Sequence, residues 1–352
     1  MDLTDAIATP HDAVLVTGAT GFIGTQVVAK LVEIGCRNVR CLVRPSSSTS
    51  KIESLIQKYG NAIRILRGNL LSREECIAAT EGISVIYHLA AGTGSKSFAD
   101  AFLNSVITTR NLLEAVLIHG SLRRFVNVSS FAVYTNENHP RVGVLDEDCP
   151  TEVRPELRSD AYCFAKVKQD ELVVDYGTRH GIPYVLVRPG VVYGPGKKRI
   201  HGRVGMDTFG FFVHLGGANS IPFTYVENCA EAIALAGLKR GVDGHVFNVV
   251  DDDLPSSREF LKLYKKEVKR FPSIYLPHGA SYLFCLLWEK YSAWSQGQLP
   301  AVFNRKVWAT SWKRTRYSNE KIKTVLGWRP RVSMADGLRQ YFADCRTNGN
   351  HA

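Results

Sequence analysis

Short apolar runs rich in β-branched residues recur through the first two thirds of the chain. They fall at Val14–Val16, Val39–Val43, Ile63–Arg67, Val85–His88, Arg124–Val128 and Tyr184–Arg188. Between them, apolar residues return at helical spacing, as at Phe22, Ile23, Val27, Val28, Leu31 and Val32. Asn104–Ile118 and Tyr162–Arg179 show the same amphipathic pattern. Strands regularly separated by helices predict right-handed βαβ units, hence an α/β fold with a doubly wound parallel sheet. From about Gly194 the pattern loosens into Gly- and Pro-containing loops and further helices, and Phe271–Trp312 is crowded with Tyr, Trp, Phe and Leu. That region is expected to form a smaller lobe over the carboxyl ends of the strands.

The first strand runs into Thr17-Gly18-Ala19-Thr20-Gly21-Phe22-Ile23-Gly24, with glycines three residues apart. Gly18 suits a turn that needs positive φ, Gly21 lets a pyrophosphate approach the backbone, and Gly24 lets the helix pack closely on the strand. The helix N-terminus offers free N–H groups and a positive dipole end to phosphates. This places a dinucleotide-binding unit mainly in residues 1–193. Residues 194–352 are mainly a substrate lobe, with some segments returning to the first unit.

At 352 residues, 45% hydrophobic and 22% charged, the composition is that of a globular chain. The longest apolar run, Tyr282–Trp288, is too short to span a bilayer. Met1–Asp5 is acidic and carries no basic leader, so no secretory signal is expected and a cytoplasmic location is. Eight cysteines form neither a CxxC pair nor a ligand cluster, which predicts reduced thiols and no metal. The net charge of +11 suggests an anionic partner. Nucleic acid is not expected, because no recognised binding motif accompanies the basic residues.

Tyr162-Cys163-Phe164-Ala165-Lys166 puts a phenol and an ammonium on one helix face. The ammonium favours the phenolate and brings a general acid/base toward working pH. Taken with the glycine turn, His88-Leu89-Ala90-Ala91, Ser129-Ser130, Arg188-Pro189-Gly190-Val191-Val192-Tyr193-Gly194 and the closing Leu326-Gly327-Trp328-Arg329-Pro330, the chain resembles an extended short-chain dehydrogenase/reductase. It is similar to NAD-dependent epimerases and dehydratases, with features of 3β-hydroxysteroid dehydrogenases.

The resemblance implies a Rossmann-type fold and assigns roles residue by residue. Tyr162 would move the proton, Lys166 would lower its pKa and bond the nicotinamide ribose, and Ser130 would hold the reacting oxygen, with Ser129 as its fallback. Asn104 would shape the active site. Dinucleotide contacts would fall on Gly18, Thr20, Gly21, Phe22, Ile23, Gly24, Arg44, Asn69, Leu70, Leu89, Ala90, Ala91, Tyr162, Lys166, Pro189 and Val192. The second strand ends in Arg44-Pro45-Ser46-Ser47 without an acid, which favours NADP over NAD, since arginine accommodates a 2′-phosphate. Asn69 stands where the family carries an adenine-contacting Asp. A homodimer through the helices that include Tyr162–Arg179 is also implied.

Two features of the substrate side point in opposite directions. Val191 and Ile221 occupy positions where sugar-nucleotide enzymes carry Asn and Arg near the diphosphate, and Phe131-Ala132 replaces the Asp-Glu pair of the dehydratases. With the aromatic Tyr275–Trp312 segment as a lipophilic pocket or membrane-facing surface, this predicts an NADP-dependent oxidoreductase acting on a lipophilic alcohol or ketone. Against it stands the basic loop Lys197–Arg203, which suits an anion. Surface screening over about 8 Å makes the missing donors the expected winner. The alternative is a sugar-nucleotide epimerase or dehydratase with tightly bound NAD. A non-catalytic nucleotide-binding subunit is a third reading, opposed by the complete Ser/Tyr/Lys set.

Overall fold

The computed structural model describes residues 6–92, 97–136, 143–197, 199–208, 210–296, 298 and 302–348. Met1–Asp5 and Lys198, both singled out in the sequence, lie outside the described residues.

Seven parallel strands form the central sheet, in the spatial order Val246–Val249, Tyr184–Pro189, Arg124–Val128, Ile83–His88, Ala13–Thr17, Val39–Val43 and Ile63–Arg67. All six expected strands are present, and three have the expected limits. The seventh, Val246–Val249, escaped the sequence reading because it is short and sits in the irregular second half. The first and fourth strands are neighbours, so strand order reverses between them and opens a crevice at their carboxyl ends.

Side-chain alternation divides the core into two layers. Val14 and Val16 face Val27, Leu31 and the helix Val226–Leu238. Leu15, Ile86 and Phe125 face Cys76, Leu112 and Val173 on the other side. With both faces covered, the strands can be apolar throughout, which is why they were legible as unbroken runs.

The helical stretch Phe98–His119 contains a π turn at Leu103–Ile107. It is long and apolar enough to cross a membrane, contrary to the expectation that no segment would be. Just over half of its apolar window is buried in this fold.

Beyond residue 190, Val191–Tyr193 pairs with Phe223–Tyr225, and Phe223, Phe260, Tyr341 and Phe342 surround them. Among the described residues, none of the aromatic-rich segment lines the crevice. Cys285 and Trp312 join Leu215 in a separate small core, with Phe303 and Trp308 against it. Leu283, Leu287 and Trp294 of the helix His278–Trp294 face outward, Trp294 at 77% exposure.

Candidate active site

The glycine turn has the geometry its spacing predicts. Gly18 adopts φ +67°, and a Cβ there would lie 2.9 Å from the Ala90 nitrogen and the Leu89 carbonyl carbon. A Cβ on Gly24 would collide with the Gly18 carbonyl oxygen. Gly21 caps the helix Phe22–Ile34 and donates its N–H to the Gly18 carbonyl at 3.0 Å.

This turn floors a groove made of two joined cavities of about 420 and 580 Å³. Gly18, Gly21, Leu89 and Ala91 belong to both. The smaller cavity adds Thr20, Arg44, Asn69, Leu70 and Ala90, and the larger adds Phe22, Ile23, Gly24, Ser130, Tyr162, Lys166 and Val192. A groove over a glycine-rich turn and a helix N-terminus fits a dinucleotide, with its adenosine at the Arg44 end.

Arg44 and Ser47 face that end. Arg67, which sequence reading missed, steadies their loop by donating to the carbonyls of Pro45 and Ser47 at 3.3 and 3.4 Å. The Asn69 side-chain oxygen is already used, closing a turn with the Leu71 N–H at 3.0 Å. The Asn69 backbone N–H is donated to Glu75 Oε2 at 2.8 Å, which leaves its side-chain NH₂ and the oxygen's second lone pair for adenine.

At the other end, Asp160 caps the helix Ala161–His180, accepting from the N–H groups of Tyr162 and Cys163 at 3.1 Å each. Burial raises the Tyr162 pKa. A hydrogen bond with Ser130 opposes that rise, and the Asp160 and Asp170 charges add to it. This differs from the expectation that Lys166 depresses the phenol. The Lys166 ammonium instead donates to the Val128 carbonyl at 2.7 Å and to Gln169 Oε1 at 2.9 Å. Burial lowers its own pKa to about 8.

Three other expectations are revised. Asn104 lines the smaller cavity and not the one holding Ser130 and Tyr162, and its NH₂ group donates to the Asp100 carbonyl and to Asp100 Oδ1 at 3.0 Å each. Pro189 is buried at its strand end opposite Val249, and Gly190, Val191 and Val192 line the groove instead. Ser129 is not an alternative to Ser130, because its hydroxyl donates to Asp170 Oδ2 at 2.8 Å.

Asp170 anchors the larger cavity from behind. It accepts from Asn127 at 2.9 Å, from Ser129, and from Arg188 Nε and Nη2 at 3.2 Å each. The Arg188 guanidinium also lies 4.8 Å from the Tyr134 ring centroid. The Arg188-Pro189-Gly190 motif was the signal for this residue, but its acidic partner was not legible.

A third cavity, of about 390 Å³, shares Val191, Val192, Lys197 and His201 with the Ser130–Tyr162 cavity. Tyr193, Phe223, Phe260 and Tyr341 give it aromatic walls, and Arg199 joins Lys197 in it. Lys197 Nζ sits 5.1 Å from the Phe22 ring centroid. Lys197 and Arg199 are exposed, yet they line the groove wall, so their charges stand within reach of a ligand there. Ile221 is buried in the aromatic cluster.

Fold and groove together define a nicotinamide-dinucleotide enzyme of the extended short-chain dehydrogenase/reductase type. Residues 14–249 match the NAD dependent epimerase/dehydratase family, and the chain belongs to it. It is 30% identical over 251 residues to a trifunctional UDP-glucose 4,6-dehydratase/UDP-4-keto-6-deoxy-D-glucose 3,5-epimerase/UDP-4-keto-L-rhamnose-reductase of Arabidopsis thaliana, covering 67% of this chain and 36% of that one. The chain therefore spans little more than a third of that relative's length. A 3beta-hydroxysteroid-dehydrogenase/decarboxylase of the same plant is 24% identical over 353 residues, covering 93% of this chain and 78% of that one. A UDP-glucuronic acid 4-epimerase of Bacillus cereus, solved with UDP-glucuronic acid and NAD, shares the fold at TM-score 0.72 and 23% identity, covering 95% and 99% of the two chains.

Proposed function

We propose that this enzyme interconverts a secondary alcohol and a carbonyl on the sugar of a nucleotide sugar, as an epimerase or oxidoreductase. This promotes the alternative expected from sequence over the lipophilic-alcohol reading. The observation that carries it is the third cavity, where Lys197 and Arg199 meet aromatic walls beside the Ser130–Tyr162 end of the groove. That combination suits an anion joined to a flat base. The trifunctional UDP-sugar relative supports the same class. Phe131-Ala132, in place of an acidic pair, argues against dehydration.

Gly18, Gly21 and the helix N-terminus would hold the pyrophosphate, and Leu89, Ala90 and Ala91 would flank it. The family is NAD-dependent. Arg44 and Ser47 would let the site also accept the 2′-phosphate of NADP. A bound nicotinamide supplies or accepts the hydride. Ser130 would hold the substrate oxygen, Tyr162 would take or return its proton, and Lys166 would place positive charge beside the phenol when the phenolate forms.

Calorimetry against UDP, GDP and dTDP sugars and a hydroxysteroid tests this reading. A nucleotide sugar should bind, and Lys197→Ala/Arg199→Ala should weaken it about tenfold or more, the scale of a hydrogen bond to a charged group, about 1.5–3 kcal/mol. Binding and turnover of the hydroxysteroid alone would favour the second reading. That reading rests on the absence of polar donors at Val191 and Ile221 and on the match to the hydroxysteroid enzyme.

A further inference from the structure

Lys166 stands at one end of a buried polar chain that the catalytic reading does not use. Gln169 accepts from the Lys166 ammonium, and its Nε2 donates to Thr109 Oγ1 at 2.7 Å. The Thr109 hydroxyl proton goes to the Ser105 carbonyl at 2.6 Å. Its oxygen can then only accept from His88 Nε2, 2.8 Å away. His88 Nδ1 is therefore unprotonated, and Thr17 Oγ1 donates to it at 2.8 Å. The Thr17 oxygen in turn accepts the Ala90 N–H at 3.2 Å. One assignment of protons satisfies every link. Gln169, Thr109, His88 and Thr17 are fully buried.

We propose that Gln169 is the positioning residue for Lys166, and that with Thr109, His88 and Thr17 it forms a rail tying the ammonium to the Leu89–Ala91 turn of the dinucleotide groove. The proposal rests on the reading of Lys166 as part of the active site.

A lysine side chain has four rotatable carbons and no fixed donor geometry. Here the Val128 carbonyl and Gln169 take two of its three N–H donors, which leaves one for the groove. Ala90, at the far end of the rail, is the residue whose nitrogen crowds Gly18. The rail thus joins the proton-handling end of the groove to its pyrophosphate floor through four side chains from four elements. The charged and titratable groups around Lys166 are few. Asp170 and Tyr162 come from its own helix, and Arg188, from the neighbouring strand, is paired with Asp170. His88 comes from the fourth strand and is held neutral by burial and by the Lys166 charge.

The test reads Lys166 directly. In protein labelled with ¹⁵N-lysine, the Lys166 Nζ resonance is assigned by its loss in Lys166→Met and followed against pH without substrate. The wild-type midpoint is expected near 8. Gln169→Glu puts a carboxylate beside the ammonium and should raise the midpoint by about one unit or more, as a close opposite charge does. Gln169→Met keeps the volume, removes the acceptor and should lower the midpoint. A residue that only packs the helix would change thermal stability and leave both midpoints in place, and that result overturns the proposal. If the methionine variant does not fold, the glutamate variant decides alone. The catalytic reading fails separately, if Lys166→Met retains turnover.

Discussion

Tyr162 is held protonated by burial and by the carboxylates of Asp160 and Asp170, with the Ser130 hydroxyl as the counterweight. Tyr162→Phe leaves the ring and removes the proton. Turnover should fall by about a hundredfold or more, as loss of general acid/base work does, while dinucleotide titration stays as in wild type. Near-normal turnover would remove Tyr162 from the mechanism. At the other end of the groove, Arg44→Ala should weaken NADP by about 1.5–3 kcal/mol and leave NAD little changed. Parallel titrations of both cofactors check this, and an equal loss for NAD and NADP would show that Arg44 does not read the 2′-phosphate. Ser130, Tyr162 and Lys166 were legible because each sits in a short local motif. Gln169, Asp170 and Arg67 were not. Gln169 gains its meaning from Thr109, 60 residues away, and Asp170 from Asn127 in the strand Arg124–Val128 and Ser129 just after it.

The strand–turn–helix unit at residues 13–34 was the most legible element, since its glycines have a steric reason that needs no distant partner. Gly24→Ala would drive a methyl group into the Gly18 carbonyl and push the helix off the strand. Overpacking of this kind costs about 1–3 kcal/mol, so the thermal midpoint should drop and dinucleotide affinity should drop with it. A variant that loses stability but binds the dinucleotide as wild type would separate helix packing from the groove. In the helix Ala161–His180, residues 162, 166 and 169 share one face, as the spacing predicts. The π turn at Leu103–Ile107, which carries Asn104, had no signature in the apolar pattern.

At the scale of the whole molecule, His88 lies in the middle of the sheet, and burial and the Lys166 charge lower its pKa to about 3, from an ordinary value of 6.5. The folded pKa is below the unfolded one. This histidine's contribution is therefore complete above about pH 6.5 and is lost as pH falls toward 3. Denaturant midpoints measured from pH 7 to 4 should fall in wild type. In His88→Gln they should start lower and fall less steeply. Parallel curves for the two proteins would mean that the acid sensitivity lies elsewhere.

By itself the sequence determined the α/β class, six of the seven sheet strands, the glycine turn and the grouping of Ser130, Tyr162 and Lys166, which line one cavity. These are encoded in local periodicity and short spacing, which survive without knowledge of what packs where. Tertiary structure alone decided the edge strand Val246–Val249 and the removal of the aromatic segment from the groove. It also brought Lys197 and Arg199 to the cavity that adjoins Ser130 and Tyr162 and routed Lys166 to Gln169. Each of these depends on contacts between residues far apart in the chain, where burial and hydrogen-bond satisfaction select among arrangements that the local pattern leaves equal.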